Sequence, residues 1–144
     1  MTRTTNDERN TLPDERLQDA YRRAHYRVSG FLLRIGLPHP AFDTWLREHG
    51  VRTYVLLTSH NPRSTPLAPG VNEARHRTLL RLLAGRGLHW IPASGADPDN
   101  EWPEEHGVCL LDPPVADARE LARLYEQHAI VEGACDGAPV LYWL

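Results

Sequence analysis

The sequence predicts an α+β (α/β-like) domain, a mixed β-sheet with helices packed on it, in the order αβαβαββαββ. Three observations predict it. Short runs rich in β-formers, such as "VRTYVLLT" at 51–58 and "VCLLD" at 108–112, are bounded by turn residues. Between such runs lie segments whose apolar residues recur every three or four positions, the helical period. The 144 residues, 41% hydrophobic and 24% charged, suit one core of ordinary globular composition.

Each element follows from a local pattern. Residues 1–13 are polar and charged and are expected to form a disordered tail, leaving 14–144 as a single globular domain. From Asp14, the residues Leu17, Ala20, Tyr21, Ala24 and Val28 keep helical spacing, and Gly30 is the expected stop. "FLLRIG" at 31–36 reads as a strand. After "LPHP", Phe42, Trp45 and Leu46 mark one side of a helix over about 40–49, ended by Gly50. "VRTYVLLT" is the expected central strand. A helix over 70–85 follows, with Val71, Ala74, Thr78, Leu79, Leu82 and Leu83 on its inner face. "LHWIPA" at 88–93 is a strand, "SGADPDNEWPEEHG" at 94–107 a long loop, and "VCLLD" the next strand. Pro113 and Pro114 introduce a helix with Val115, Ala118, Leu121, Ala122 and Tyr125 buried. "AIVEG" and "PVLYWL" are strands joined at Asp136-Gly137, a hairpin turn signal.

Composition excludes several function classes. The formal net charge is −3, which argues against nucleic acid as the main partner, because phosphate backbones demand a concentrated positive surface. The sequence contains no lysine, so lysine Schiff bases and P-loop lysines are out; its cations are arginines. Cys109 and Cys135 are far apart and form no C-x-x-C pair, which points to a reducing cytoplasm, with Cys109 a buried small hydrophobe. The N-terminus has no apolar core of a secretory signal, and no apolar run is long enough to span a bilayer. The eight histidines are scattered without H-E-x-x-H or Cys/His spacing, so no metal is expected unless they converge in space. Asp97, Asp99 and Glu101 alternate as in some calcium loops but lack the full spacing. No G-x-G-x-x-G, P-loop or G-x-S-x-G motif is present, so no cofactor is expected.

Three stretches concentrate hydrogen-bonding chemistry. "TSHNPRS" places Thr58, Asn61, Arg63 and Ser64 at the C-terminal end of the central strand, where sheets commonly carry ligands, and Asn72 and His76 share one face of the next helix. The alternative is scaffold: Asn-Pro starts turns, and Asn72 suits a helix cap. "DPDNEWPEEH" combines Trp102 with Glu104 and Glu105; a carboxylate beside a tryptophan is desolvated, and its raised pKa suits a general acid or base. The alternative is a solvated acidic loop. "YEQHAIV" puts Gln127 and His128 at a helix–strand junction. Ser64 with His60 or His76 and a glutamate would make a triad, though no spacing demands one.

In this order, "TSHNPRS", Asn72, "EWPEEH" and "YEQHAIV" resemble the bacterial family called domain of unknown function 3293, with its pattern T-A-x-N-P-x-S, N, W-x-E-x-S and F-G-Q-x-A. The resemblance extends over roughly residues 20 to 143. It implies that Thr58, Asn61, Ser64, Asn72, Trp102, Glu104 or Glu105, and Gln127 are the family's polar positions. Ser59, His106 and Glu126 depart from the usual alanine, serine and glycine. The expectation is a shared cleft in a small cytoplasmic domain. It would bind a polar or anionic metabolite, nucleotide-like in one form, with Trp102 stacking, Arg63 meeting the anion and Asn61, Asn72 and Gln127 setting specificity. The alternatives are an enzyme using Glu104 or Glu105 as general acid/base and Ser64 or a water as nucleophile, and a protein-interaction module with an exposed apolar patch around Trp102.

Overall fold

The structure, a computed structural model, describes residues 12–144. The expected disordered tail therefore falls almost wholly outside the described residues. The elements are α1 (Glu15–Arg23), β1 (His25–Val28), β2 (Phe31–Leu33), α2 (Pro40–Glu48), β3 (Thr53–Leu57), α3 (Pro69–Gly85), β4 (His89–Ala96), β5 (Glu105–Leu111), α4 (Val115–Leu124), β6 (Ala129–Ala134) and β7 (Val140–Trp143). A single 3-10 turn, Pro62–Ser64, interrupts the loop between β3 and α3.

The seven strands form one sheet in the order β2-β1-β4-β5-β3-β6-β7. The class is α+β as predicted, but the sheet is antiparallel throughout, not mixed. The reason lies in how the crossovers interlock. β3-α3-β4 joins two strands that run the same way, and β5 inserts between them; β5-α4-β6 does the same around β3. Each helical crossover thus spans a strand it does not pair with. This is the split βαβ arrangement of ferredoxin-like folds. The β1–β2 hairpin extends the sheet past β4, and β7 extends it past β6.

Side chains alternate between two cores because successive strand residues point to opposite faces. On one face α3 and α4 bury Leu79, Leu83, Ala118, Leu121 and Ala122 against Val55, Leu57, Val108, Leu110 and Ile130. On the other, α2 lays Phe42 and Leu46 against Val28, Leu33, Tyr54, Leu56 and Val131. The ring of Tyr21 in α1 meets that of Trp143 in β7 edge to face.

Three predicted elements shift. The first helix stops at Arg23, and residues 25–28 form β1 instead of its last turns, giving the order αββαβαββαββ. Ala24 and Val28 are both buried, as a helix would require, but a strand also puts positions four apart on one face. The left-handed pair Ser29 and Gly30 (φ 48° and 85°) then turns the hairpin rather than capping a helix. The long loop shrinks to 97–104, since β4 and β5 pair as far out as Gly95 with Glu105. In α3, Val71, Ala74 and Thr78 are exposed, and the inner face begins with Asn72. The first half of this helix covers polar groups, so its apolar residues do not mark its inner side.

Gly107 shows how tightly the floor is built. A Cβ there would run into the Leu57 carbonyl oxygen, a contact no side chain can make. Gly107→Ala should push β5 away from β3 and cost about 2 kcal/mol or more. Urea unfolding should show a lowered midpoint with unchanged slope; a loss below about 0.5 kcal/mol would contradict the pairing.

Candidate functional site

Beyond Leu57 the chain leaves β3 and folds into a loop held almost entirely by side-chain amides. Asn61 adopts a left-handed conformation (φ 48°), which asparagine tolerates better than most residues. Its Oδ1 accepts from the Leu67 N–H at 2.9 Å and from Asn72 Nδ2 at 2.7 Å. Its backbone N–H donates to Asn72 Oδ1 at 2.9 Å, and its Nδ2 donates to Glu105 Oε2 at 2.7 Å. Asn72 is therefore no helix cap; α3 begins at Pro69, and Asn72 reaches back to pin the loop. Arg63 and Ser64 are also left-handed (φ 52° and 57°), so three of four consecutive residues are held in a disfavoured region. Such strain persists only where the surroundings impose it, and it concentrates at functional sites.

Two straps from other elements impose it. Gln127 Nε2 donates to the carbonyls of His60 (2.9 Å) and Tyr125 (3.1 Å). Arg75, on α3, donates to the carbonyls of Ser59 (2.7 Å) and Tyr125 (3.0 Å). Thr58 Oγ1 donates to the His106 carbonyl at 2.7 Å and accepts from the His60 N–H at 3.1 Å. Arg63 takes a different course. Its guanidinium lies largely in solvent and pairs with Glu126 at 3.1 Å.

This loop forms one wall of a cavity of about 450 Å³. Tyr26, Leu56, Gly95 and Val131 contribute to its floor, and α1 supplies Leu17, Ala20 and Tyr21. The structure brings Thr58, Asn61, Ser64, Asn72, Trp102, Glu104, Glu105 and Gln127 to this one cavity. Arg63 is not brought there, and neither are His76 and His128 of the same stretches.

The groups differ in what they leave free. Asn72 and Gln127 spend both amide N–H groups on building the loop, and Asn61 spends one of its two on Glu105, so these three act first as positioning residues. Glu104 is exposed at the rim, where Ser94 Oγ donates to it at 2.8 Å. Glu105 lies inside, on a strand. Apart from Asn61, no side chain or backbone group among the described residues bonds its carboxylate. Burial raises its pKa above the usual carboxylate value, and the Asn61 hydrogen bond pulls it part of the way back. Ser64 Oγ and the Tyr21 hydroxyl bond each other at 2.9 Å. Burial also raises the Tyr21 pKa, against the hydrogen bond to Ser64, which lowers it, with Glu105 adding a smaller upward push.

Sequence reasoning missed Tyr21 and Tyr26 because both sat on a stretch read as one helix. Tyr26 is a strand residue whose hydroxyl donates to the Tyr21 carbonyl at 3.0 Å, tying β1 to α1. Gly95 leaves room for its ring, which a Cβ there would touch at 3.4 Å.

Several expected or excluded arrangements resolve plainly. No serine–histidine dyad forms at Ser64, whose side-chain partner is Tyr21. Asp97 is no calcium ligand in the making: it is buried and accepts from the backbone N–H groups of Asp99 and Glu101, closing its own turn. Cys109 is fully buried and its thiol is pushed up to about 12, so it is an inert core residue as predicted. His60, His76 and His106 do converge, with His60 ring centroids 6.1 and 6.2 Å from the other two. Among the described residues, the ligating atoms of a possible metal group come together only at Asp43, Cys135 and Asp136. There the Arg47 guanidinium already supplies the positive charge by pairing with Asp136.

The model of a family described as "Protein of unknown function (DUF3293)" matches residues 57–130. The chain belongs to this family. No curated protein and no solved structure matches it. The DUF3293 segment runs from the end of β3 into β6. It contains the whole loop wall, Trp102, both glutamates and Gln127, while Tyr21 and Tyr26 lie before it. No helix among the described residues is long and apolar enough to cross a membrane.

Proposed function

We propose that this protein is a small cytoplasmic domain that binds a small polar metabolite in the cavity beneath α1. The observation that carries this reading is the convergence of three separated polar motifs on one cavity of about 450 Å³, a volume suited to a small molecule. The strained loop supports it further. A connection held left-handed at Asn61, Arg63 and Ser64 by amide straps is pre-organised, which lowers the entropy cost of binding. Binding in a cavity is also favoured over a protein-docking surface, because Trp102 lines a concave space instead of an exposed apolar patch.

Thermal-shift screening of the full chain against a metabolite library tests the reading. A ligand at about one hundred times its Kd should add about 2.7 kcal/mol of stability, and Trp102→Ala should abolish the shift. A library that leaves the melting temperature unmoved contradicts it.

One observation favours chemistry in the same cavity: the raised pKa of Glu105, which suits a general acid or base, in a cavity it shares with the Tyr21–Ser64 hydroxyl pair. In that case Glu105→Gln should lose turnover even when the compound is supplied at saturation, and turnover retained there would dismiss the enzyme reading.

A further inference from the structure

We infer that the cavity is built for an organic cation, a protonated amine or amidinium on an apolar or aromatic body. This rests on the reading of the cavity as a ligand site and names what that site selects.

The first ground is charge. Among the described residues no arginine lines the cavity, and the sequence has no lysine. The two arginines nearest in sequence to the loop and the start of α3 are spent elsewhere, Arg63 on Glu126 and Arg75 on the carbonyls of Ser59 and Tyr125. Carboxylates do line it: Glu105 within, and Glu73 and Glu104 toward the rim. An anionic ligand would meet three acids and no guanidinium. The anionic metabolite expected from Arg63 therefore finds no guanidinium among the described residues that line the cavity.

The second ground is the state of Glu105. A part-buried carboxylate is normally paired, because withdrawing it from solvent alone is costly. Here its protein partner is one neutral amide. The titratable groups that its charge reaches are the phenols of Tyr21 and Tyr26, neither of which supplies positive charge; His60, held uncharged at neutral pH, and His106 line the same cavity. The missing partner is a cation with hydrogen-bond donors.

The third ground is the wall. Leu17, Leu56, Val131 and Leu141 are apolar, and Tyr21 and Trp102 add aromatic surface, which suits the body of an amphipathic cation and attracts the charge itself.

The test uses the full chain and a fragment library of ring-bearing compounds made in matched amine, alcohol and carboxylate forms, read by thermal shift and by titration calorimetry at pH 7.5. Amines should bind at least tenfold tighter than the carboxylates of the same body. Glu105→Gln should remove that preference while the alcohols keep their affinity, which also shows that the variant is folded. Carboxylates that bind as well as or better than the amines overturn the charge assignment and leave a binding cavity. A preference for amines that survives in Glu105→Gln overturns the role of Glu105. A library with no hits in any form overturns the cavity reading itself, and this inference with it.

Discussion

Asn61→Ala should destabilise the protein by about 3 to 4 kcal/mol, the largest loss expected from any single polar truncation in the site. The sum has identifiable parts. The Leu67 N–H and Asn72 Nδ2 both lose their acceptor, and Glu105 loses its amide partner. Each part-buried group left unpaired costs about 1 kcal/mol or more. Alanine is also strained at φ 48°, by about 1 kcal/mol or more. Asn61→Gly separates the two contributions, because glycine accepts the backbone but not the hydrogen bonds, and it should recover only the last of these costs. Chemical denaturation of both variants measures the difference. If Asn61→Ala loses less than about 1 kcal/mol, the amide does not organise the loop.

Acidification should destabilise the protein between pH 6.5 and about 4, through His60. Its pKa falls to about 4, chiefly through burial and then through the neighbouring His76 and His106. The ring is neutral in the folded state across that window, whereas an unfolded histidine with its usual pKa near 6.5 takes up a proton. The unfolded state then binds more protons, so stability rises with pH. The contribution is intact above about 6.5 and lost as pH falls through about 4, by at most about 3 kcal/mol for this residue. His76, also shifted downward by burial, acts in the same direction. His60→Gln should flatten the stability profile over this window, measured by denaturation at successive pH values. An unchanged slope would mean that burial does not hold His60 neutral in the folded state.

The two effects share an origin that was partly legible in the sequence. The residues that build the loop wall were readable, because "TSHNPRS", "EWPEEH" and "YEQHAIV" carry more hydrogen-bonding groups than a turn needs. Their division of labour was not. A free amide and an amide already hydrogen-bonded look the same in sequence, and only the contacts of Asn61, Asn72 and Gln127 show that they hold the site while Glu105 faces it. Glu105 reads as a loop residue because "SGADPDNEWPEEHG" has no periodicity of its own. The strand there comes from pairing with β4, a long-range effect that local pattern does not encode. Arg63 looked like the natural anion ligand, but its left-handed backbone turns it toward Glu126.

In the fold, the elements with strong period and clear punctuation, such as α2, α4 and β3, fall where the sequence put them. The β1–β2 hairpin does not, since Ala24 and Val28 satisfy both helical and strand spacing and only the register with β4 decides between them. The antiparallel sheet was equally hidden. Strand sequence does not say that β5 will insert between β3 and β4.

The stability of Glu105→Gln, free of any ligand, is the most direct measure of whether this cavity exists to bind something. A group that serves the fold costs stability when it is altered, whereas one kept for a ligand costs stability while it is present. Folding raises the pKa of Glu105, so the folded state holds its proton more tightly than the unfolded chain. What stability that brings is present below the unfolded value and lost as pH rises through the folded one. At pH 7.5 the carboxylate is therefore a net cost, and glutamine keeps an acceptor for Asn61 without the charge. Unfolding of Glu105→Gln by denaturant at pH 7.5 should show a gain of about 1 kcal/mol over the native protein. A loss of 1 kcal/mol or more would mean that Glu105 is a structural acid, and the cavity would lose the feature that marks it as a site.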